Sequence, residues 1–193
     1  MPRELRKIAK ADILPWQSYA ERRAQLRQAQ IAVKRSRIVE VGPFATFYFE
    51  NYDTMWLQVQ EMLHIEKGGA AQIEGELETY NPLIPQGGEL IATLMLQIED
   101  AGVRDKTLRT LGGIEETIFL DLGAERIKAV PTEYEDRTTP DGKTSSVHWL
   151  RFSLTPQQIA KFKTGAVLGI AHQNYGHMAV LNEALRGELA KDL

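Results

Sequence analysis

The chain has no cysteine, only four histidines in 193 residues, and no apolar run approaching the roughly 18 residues that a membrane span requires. Each scarcity removes something. Without cysteine there is no disulfide, no thiolate nucleophile, no iron–sulfur cluster on the chain's own ligands and no cysteine zinc site. A metal centre would have to be assembled from His, Asp and Glu, with Tyr as a further donor, a set that suits non-haem iron, zinc or manganese. There is no nucleotide motif either: the Gly-Gly pairs starting at 68, 87 and 112 belong to neither phosphate-loop pattern. Ser145, Ser146 and His148 lie close in sequence but lack the nucleophile elbow of a serine hydrolase. The basic N-terminus is followed by no apolar signal core, so no secretory signal is read and a cytoplasmic location is expected.

What is present is unevenly charged. Residues 1–37 hold ten Lys/Arg against three Asp/Glu, so +7, and the rest of the chain carries −10. Such asymmetry marks either a face for nucleic acid or an acidic partner, or a basic segment that docks on its own acidic body or is merely solvated. No aromatic and basic interleaving accompanies it, so a docked or merely solvated segment is the favoured reading and nucleic acid ranks last.

Length and composition point to one domain, 1–193, with residues 1–17 as an extended arm docking Ile13, Leu14 and Trp16. Ser18 and Glu21 have capping-box spacing, which predicts a helix to about Ser36. Arg37–Val41 and Ala45–Glu50 read as a hairpin, and Asp53 as the cap of a helix reaching Lys67. A helix over Gln72–Tyr80 ends at Asn81-Pro82. Strands are expected over Leu90–Ile98, Thr117–Leu122, Arg126–Val130, Ser146–Ser153 and Ala166–Ala171. Helices are expected over Val103–Leu111, from Thr155-Pro156 with Gln158, and from about Met178. The order lacks a regular βαβ rhythm, which makes the fold class α+β with a mostly antiparallel sheet and helices packed against it.

Two histidines sit in His172-Gln-Asn-Tyr-Gly-His177, directly after an apolar run, where a strand ends and a pocket can open. Strand alternation puts His148 on one face with Ser146, Leu150 and Phe152. If the His148 and His172 strands pair antiparallel, as the short Thr155–Gly165 connection favours, the two imidazoles come near each other; if parallel, they do not. With Tyr175 and His177 folding over the strand end, His148, His172, His177 and one carboxylate would make a nitrogen-rich metal site with an open position. The alternative is that these are core and loop histidines satisfied by backbone carbonyls.

Glu61 and His64 have the Glu-x-x-His spacing of di-iron bundles. On a helical wheel Met55, Trp56, Val59, Met62 and Leu63 form the apolar arc; Glu61 and His64 fall opposite it, on a solvated face. Glu66 falls inside the arc and needs a basic partner or a metal. The Asn81–Gly88 loop is stiffened by Pro82 and Pro85, and its Leu83 and Ile84 either fill the core or cap a pocket or partner surface.

Gln58–Leu63 with Ile65-Glu66, Glu76–Pro85, Ala92–Met95, Ser146–Phe152 and His172–His177 together resemble the bacterial family called domain of unknown function three-five-zero-one, over roughly Asp12 to His177. The resemblance implies genomic company with rubrerythrin-like di-iron proteins and iron–sulfur oxidoreductases. It carries over Glu61, Glu66, Asn81, His148, His172, Tyr175 and His177 as site residues without assigned roles. That pattern often has Arg where this chain has His64, which weakens the Glu61/His64 pair. Two functional readings result. One is a metal-binding, redox-associated protein using His148, His172 and His177 with Glu66 or Glu61. The other is a non-enzymatic partner docking on a redox protein through its acidic surface and the Asn81–Gly88 loop. Nothing in the sequence fixes the oligomeric state.

Overall fold

In the computed structural model, which describes residues 6–132 and 137–193, the strands form two antiparallel sheets. One sheet holds β1 (Ile38–Val41), β2 (Ala45–Phe49), β3 (Glu89–Leu96), β6 (Val130–Pro131) and β7 (Val147–Ser153), in the order β1-β2-β3-β7-β6. The other holds β4 (Ile118–Asp121), β5 (Arg126–Lys128), β8 (Val167–His172) and β9 (Tyr175–Val180), in the order β5-β4-β8-β9. Every pairing is antiparallel, giving the α+β fold expected. The expected strand Arg126–Val130 is in fact shared out: the chain leaves one sheet after Lys128 and joins the other at Val130, turning through the buried Ala129.

The inner face of the five-stranded sheet packs Phe47, Phe49, Leu94 and Phe152 against Ile118, Leu120, Leu168 and Ile170 of the other sheet, forming the main core. Its outer face is covered too. There Ile91 meets Met55, Val59, Leu83 and Ile84, together with Ile8 of the N-terminal segment. Burial on both faces is why β3 reads as the near-continuous apolar run Leu90-Ile-Ala-Thr-Leu-Met-Leu96 rather than as a strict alternation. The cover consists of α1 (Trp16–Arg35), α2 (Tyr52–Glu66) and α3 (Ala70–Tyr80); α4 (Ala101–Arg109), α5 (Pro156–Thr164) and α6 (Glu183–Leu189) lie elsewhere in the chain.

Four local expectations change. Helix α1 begins at Trp16, with Pro15 before it, so Ser18 and Glu21 lie inside its first turns and form no cap. The arm ahead of it contains a single turn of 3-10 helix, Lys10–Asp12, and is not extended throughout. Asn51, not Asp53, caps α2: its side chain accepts from the Thr54 amide while the Thr54 hydroxyl accepts from the Asn51 amide, both at 3.0 Å. Tyr175–Val180, part of which was expected to open the C-terminal helix, is instead a strand hairpinned onto β8, and the helix waits for the Asn182 cap. Pairing with β8 satisfies the backbone there, so tertiary contact overrides local propensity. The Thr155/Gln158 capping box forms as expected. No helix among the described residues is long and apolar enough to cross a membrane.

Candidate functional site

The histidines do not assemble. Strands β7 and β8 lie in different sheets and do not pair, because the Thr155–Gly165 connection folds as α5 and carries the chain from one sheet to the other. The antiparallel pairing expected to bring His148 to His172 is therefore wrong. His148 is 1% exposed on the inner face, its Nε2 2.9 Å from the Ser145 carbonyl and its Nδ1 3.7 Å from Glu115 Oε2. Burial pulls this imidazole below its ordinary pKa, with Glu115 acting in the opposite direction. His172 is also used up: Nδ1 accepts from the Asn174 amide at 3.2 Å and Nε2 lies 3.3 Å from the Gly112 carbonyl. In that pattern Nδ1 is the acceptor and Nε2 the donor.

His177 is exposed and packs edge-on against Tyr175, ring centroids 4.6 Å apart. Tyr175 in turn is a structural plug. Its hydroxyl donates to the Val41 carbonyl at 2.7 Å and accepts from the Phe44 and Ala45 amides at 3.2 and 3.0 Å, pinning the β1–β2 turn where Gly42 has φ 74°. Among the described residues no three His, Cys, Asp or Glu side chains gather where one metal ion would be held.

The wheel reading of α2 is reversed. Glu66 is exposed, its carboxylate accepting from the Gln72 side chain at 2.6 Å, whereas Glu61 is enclosed. Arg23 grips Glu61 with two 2.8 Å hydrogen bonds, and the Tyr19 hydroxyl donates to it as well. The Arg23 bonds, aided by Tyr19 and Arg27, hold the Glu61 carboxyl down to about 2 despite its burial. The assumption that failed was a single apolar face: α2 packs on the sheet and also on α1, so its Glu61 side meets a helix and not solvent. Asn81 clamps the N-terminal segment, accepting from the Ile8 amide at 2.7 Å and donating to its carbonyl at 3.1 Å. Leu83 and Ile84 of the loop are core.

A different group stands out. Alternation along β2 sends Ala45, Phe47 and Phe49 into the inner core and Thr46 and Tyr48 outward, and Glu50 continues the outward row. Its carboxyl is buried against the sheet, with Thr54 donating to Oε2 at 2.6 Å and Thr93 to Oε1 at 2.7 Å. Burial pushes this carboxyl above the ordinary carboxylate range; the two threonines, Lys34 and Arg37 pull the other way without cancelling the shift. Arg37, 1% exposed, fixes the strand end from beneath, donating to the Phe49 and Glu50 carbonyls at 3.0 and 3.3 Å and pairing with Glu188 and Asp192.

Glu50 lines a cleft of about 320 Å³ between the outer sheet face and the helices. The register that places Tyr48 opposite Thr93, and Thr93 opposite Trp149, builds one wall. Met55, Gln58 and Tyr80 of α2 and α3 build the other, and Lys34, exposed and without an ion pair among the described residues, belongs to the lining. Most of the lining is apolar, with a few polar groups converging on a carboxyl of perturbed pKa, the usual composition of a small-molecule site. Sequence reasoning missed Glu50 because nothing local says that this sheet face is roofed. The available signal was a Glu ending an aromatic strand immediately before a helix cap.

The architecture defines a two-sheet antiparallel α+β protein with a helix-roofed cleft. A match to the family described as protein of unknown function (DUF3501) spans residues 7–193, and the chain belongs to that family. It is similar to a solved structure, a novel protein of unknown function from Burkholderia pseudomallei K96243, at 35% identity and a TM-score of 0.89, covering 97% of this chain and 99% of that one. No curated protein matches.

Proposed function

We propose that this protein binds a small organic molecule in the Glu50 cleft, with the Glu50 carboxyl meeting the ligand's polar head. The observation that carries the reading is a buried carboxyl, held by two threonine hydroxyls, that borders open space and makes no ion pair among the described residues, with Lys34 and Arg37 acting on it from a longer distance. Each carboxyl oxygen accepts one threonine hydrogen bond and keeps a further lone pair, so the group can still accept from a ligand or, when protonated, donate to it. A carboxyl with a raised pKa is also suited to general acid–base work on whatever is bound. Tyr48, Tyr80, Trp149 and Met55 offer faces for an apolar or aromatic body, and the Lys34 ammonium suits an anionic end.

This reading is preferred to a histidine metal centre serving a redox system, for which the described residues offer no donor set. Elemental analysis of protein grown in iron- and zinc-replete medium tests that alternative. For the cleft, a thermal-shift screen of small aromatic and aliphatic amines, amides and carboxylic acids is run on the wild-type chain and on Glu50→Gln. Ligands that stabilise the first and not the second support the proposal. Ligands indifferent to the substitution contradict it.

A further inference from the structure

A second concavity of about 700 Å³ lies away from Glu50, where the N-terminal segment crosses the junction of α2 and α3. Ile13, Leu14, Leu63 and Ile73 give it an apolar wall. Trp16 closes one side, stacked on His64 with ring centroids 5.2 Å apart and donating from Nε1 to the His64 carbonyl. Among the described residues no acidic side chain lines it, although Glu66 and Glu76 meet the Gln72 side chain beside the start of α3. Its two charged residues are Lys10 and Lys67, both exposed and neither in an ion pair among the described residues.

Two features show where polar ligand atoms belong. Helix α3 starts inside this groove at Gly69 and Ala70, with no side chain capping its first amides and no acidic residue in its first turn. Uncapped amides and the positive end of the helix dipole favour an anion. Independently, Gln60, 2% exposed and part of the lining, has its amide nitrogen without a hydrogen-bond partner, and His64 Nδ1 is buried and equally unpartnered. Unsatisfied buried polar atoms are uncommon, and two in one lining indicate missing acceptor or donor atoms.

We infer that this groove binds an amphiphilic anion, with its aliphatic tail along Ile13, Leu14, Leu63 and Ile73 and its carboxylate or phosphate head at the start of α3 between Lys67 and Lys10. The charge follows from the two lysines and the uncapped helix start, with the carboxylates of Glu66 and Glu76 already engaged by Gln72; the tail follows from the wall; and the volume lies within the roughly 300–1,000 Å³ of ligand pockets. The inference is independent of the Glu50 reading.

The test titrates the full chain with sodium decanoate, decyl phosphate, decylamine and decanol, all below micellar concentration, by calorimetry and by tryptophan emission with Trp16→Phe as control. At least one of the two anions is expected to saturate at one site per chain and to bind roughly tenfold or more tighter than decylamine or decanol. The tighter anion identifies a carboxylate or a phosphate source. The double variant Lys10→Gln/Lys67→Asn, chosen because Asn tolerates the left-handed backbone of Lys67 (φ 56°), should lose roughly tenfold in anion affinity while keeping its melting temperature. Gln60→Leu should weaken the same anion with tail contacts intact. Equal binding of all four probes, no saturable anion binding, or anion binding indifferent to the lysine variant would overturn the proposal.

Discussion

The two faces of the five-stranded sheet treat their buried polar residues in opposite ways. On the inner face His148 is closed in, one ring nitrogen near the Ser145 carbonyl and the Thr144 hydroxyl and the other facing Glu115. On the outer face Glu50 is buried as well, yet it borders a cleft. The difference teaches that residue type is a weaker guide to chemistry than unused bonding capacity next to space. Histidine invites a functional reading, but His172 and His177 are absorbed by a carbonyl, a turn and a ring stack, and the unbonded Nδ1 of His148 faces the enclosed Glu115 carboxylate and no cleft. A glutamate that drew no attention in the sequence keeps its capacity open.

The sharpest way to break the comparison is at Arg37, which underlies the outer cleft. Arg37→Ala leaves Asp192 buried without its partner and strips hydrogen bonds from two strand carbonyls, so a loss of about 3–5 kcal/mol in denaturant unfolding is expected. A loss below 1 kcal/mol would mean that this end of the cleft is not held as described. Next, Tyr175→Phe removes one donated and two accepted hydrogen bonds in the β1–β2 turn and should cost about 2 kcal/mol, with metal content unchanged. A metal-dependent change in Tm would restore Tyr175 to a site.

Glu61→Gln should also cost about 2 kcal/mol at neutral pH, discounted for partial exposure of Arg23. The sign follows from a folded pKa of about 2, below the ordinary carboxyl value: the stabilisation is present above the unfolded pKa and fades as pH falls toward 2. Wild type and variant should therefore converge in acid; parallel curves would show that the ion pair contributes little. His148→Gln should have the smallest effect, about 1 kcal/mol, and should flatten part of the acid side of the stability profile. The folded imidazole is depressed below its unfolded pKa, so the unfolded chain takes up the proton first and wild-type stability falls as pH drops through the ordinary histidine range. An unchanged slope would indicate that His148 is not buried neutral.

Much of the fold was legible locally. Alternation gave the faces of β7, the Thr155/Gln158 box gave the start of α5, and Pro82 gave the end of α3. The site was not legible, for reasons of tertiary packing. Whether β7 and β8 share a sheet depends on where α5 delivers the chain, and whether Glu61 faces water depends on α1 lying along α2. Neither contact has a local signature. Charge patterning left the basic N-terminal segment as docked on the acidic body or solvated, and the structure has both: Arg23 meets Glu61 and Arg37 meets Glu188 and Asp192, while Lys7, Lys10, Arg22, Lys34 and Arg35 are exposed.

The most direct test of the contrast between the faces is the titration of the Glu50 carboxyl, followed by carbon-13 NMR of glutamate-labelled protein and assigned by the signal missing in Glu50→Gln. Expected is a midpoint above the ordinary carboxyl value that shifts when a ligand from the screen is added, because the group is desolvated and within reach of what the cleft holds. A Glu50 midpoint at or below the ordinary value, unmoved by any ligand, would contradict it and leave the outer face as closed as the inner one.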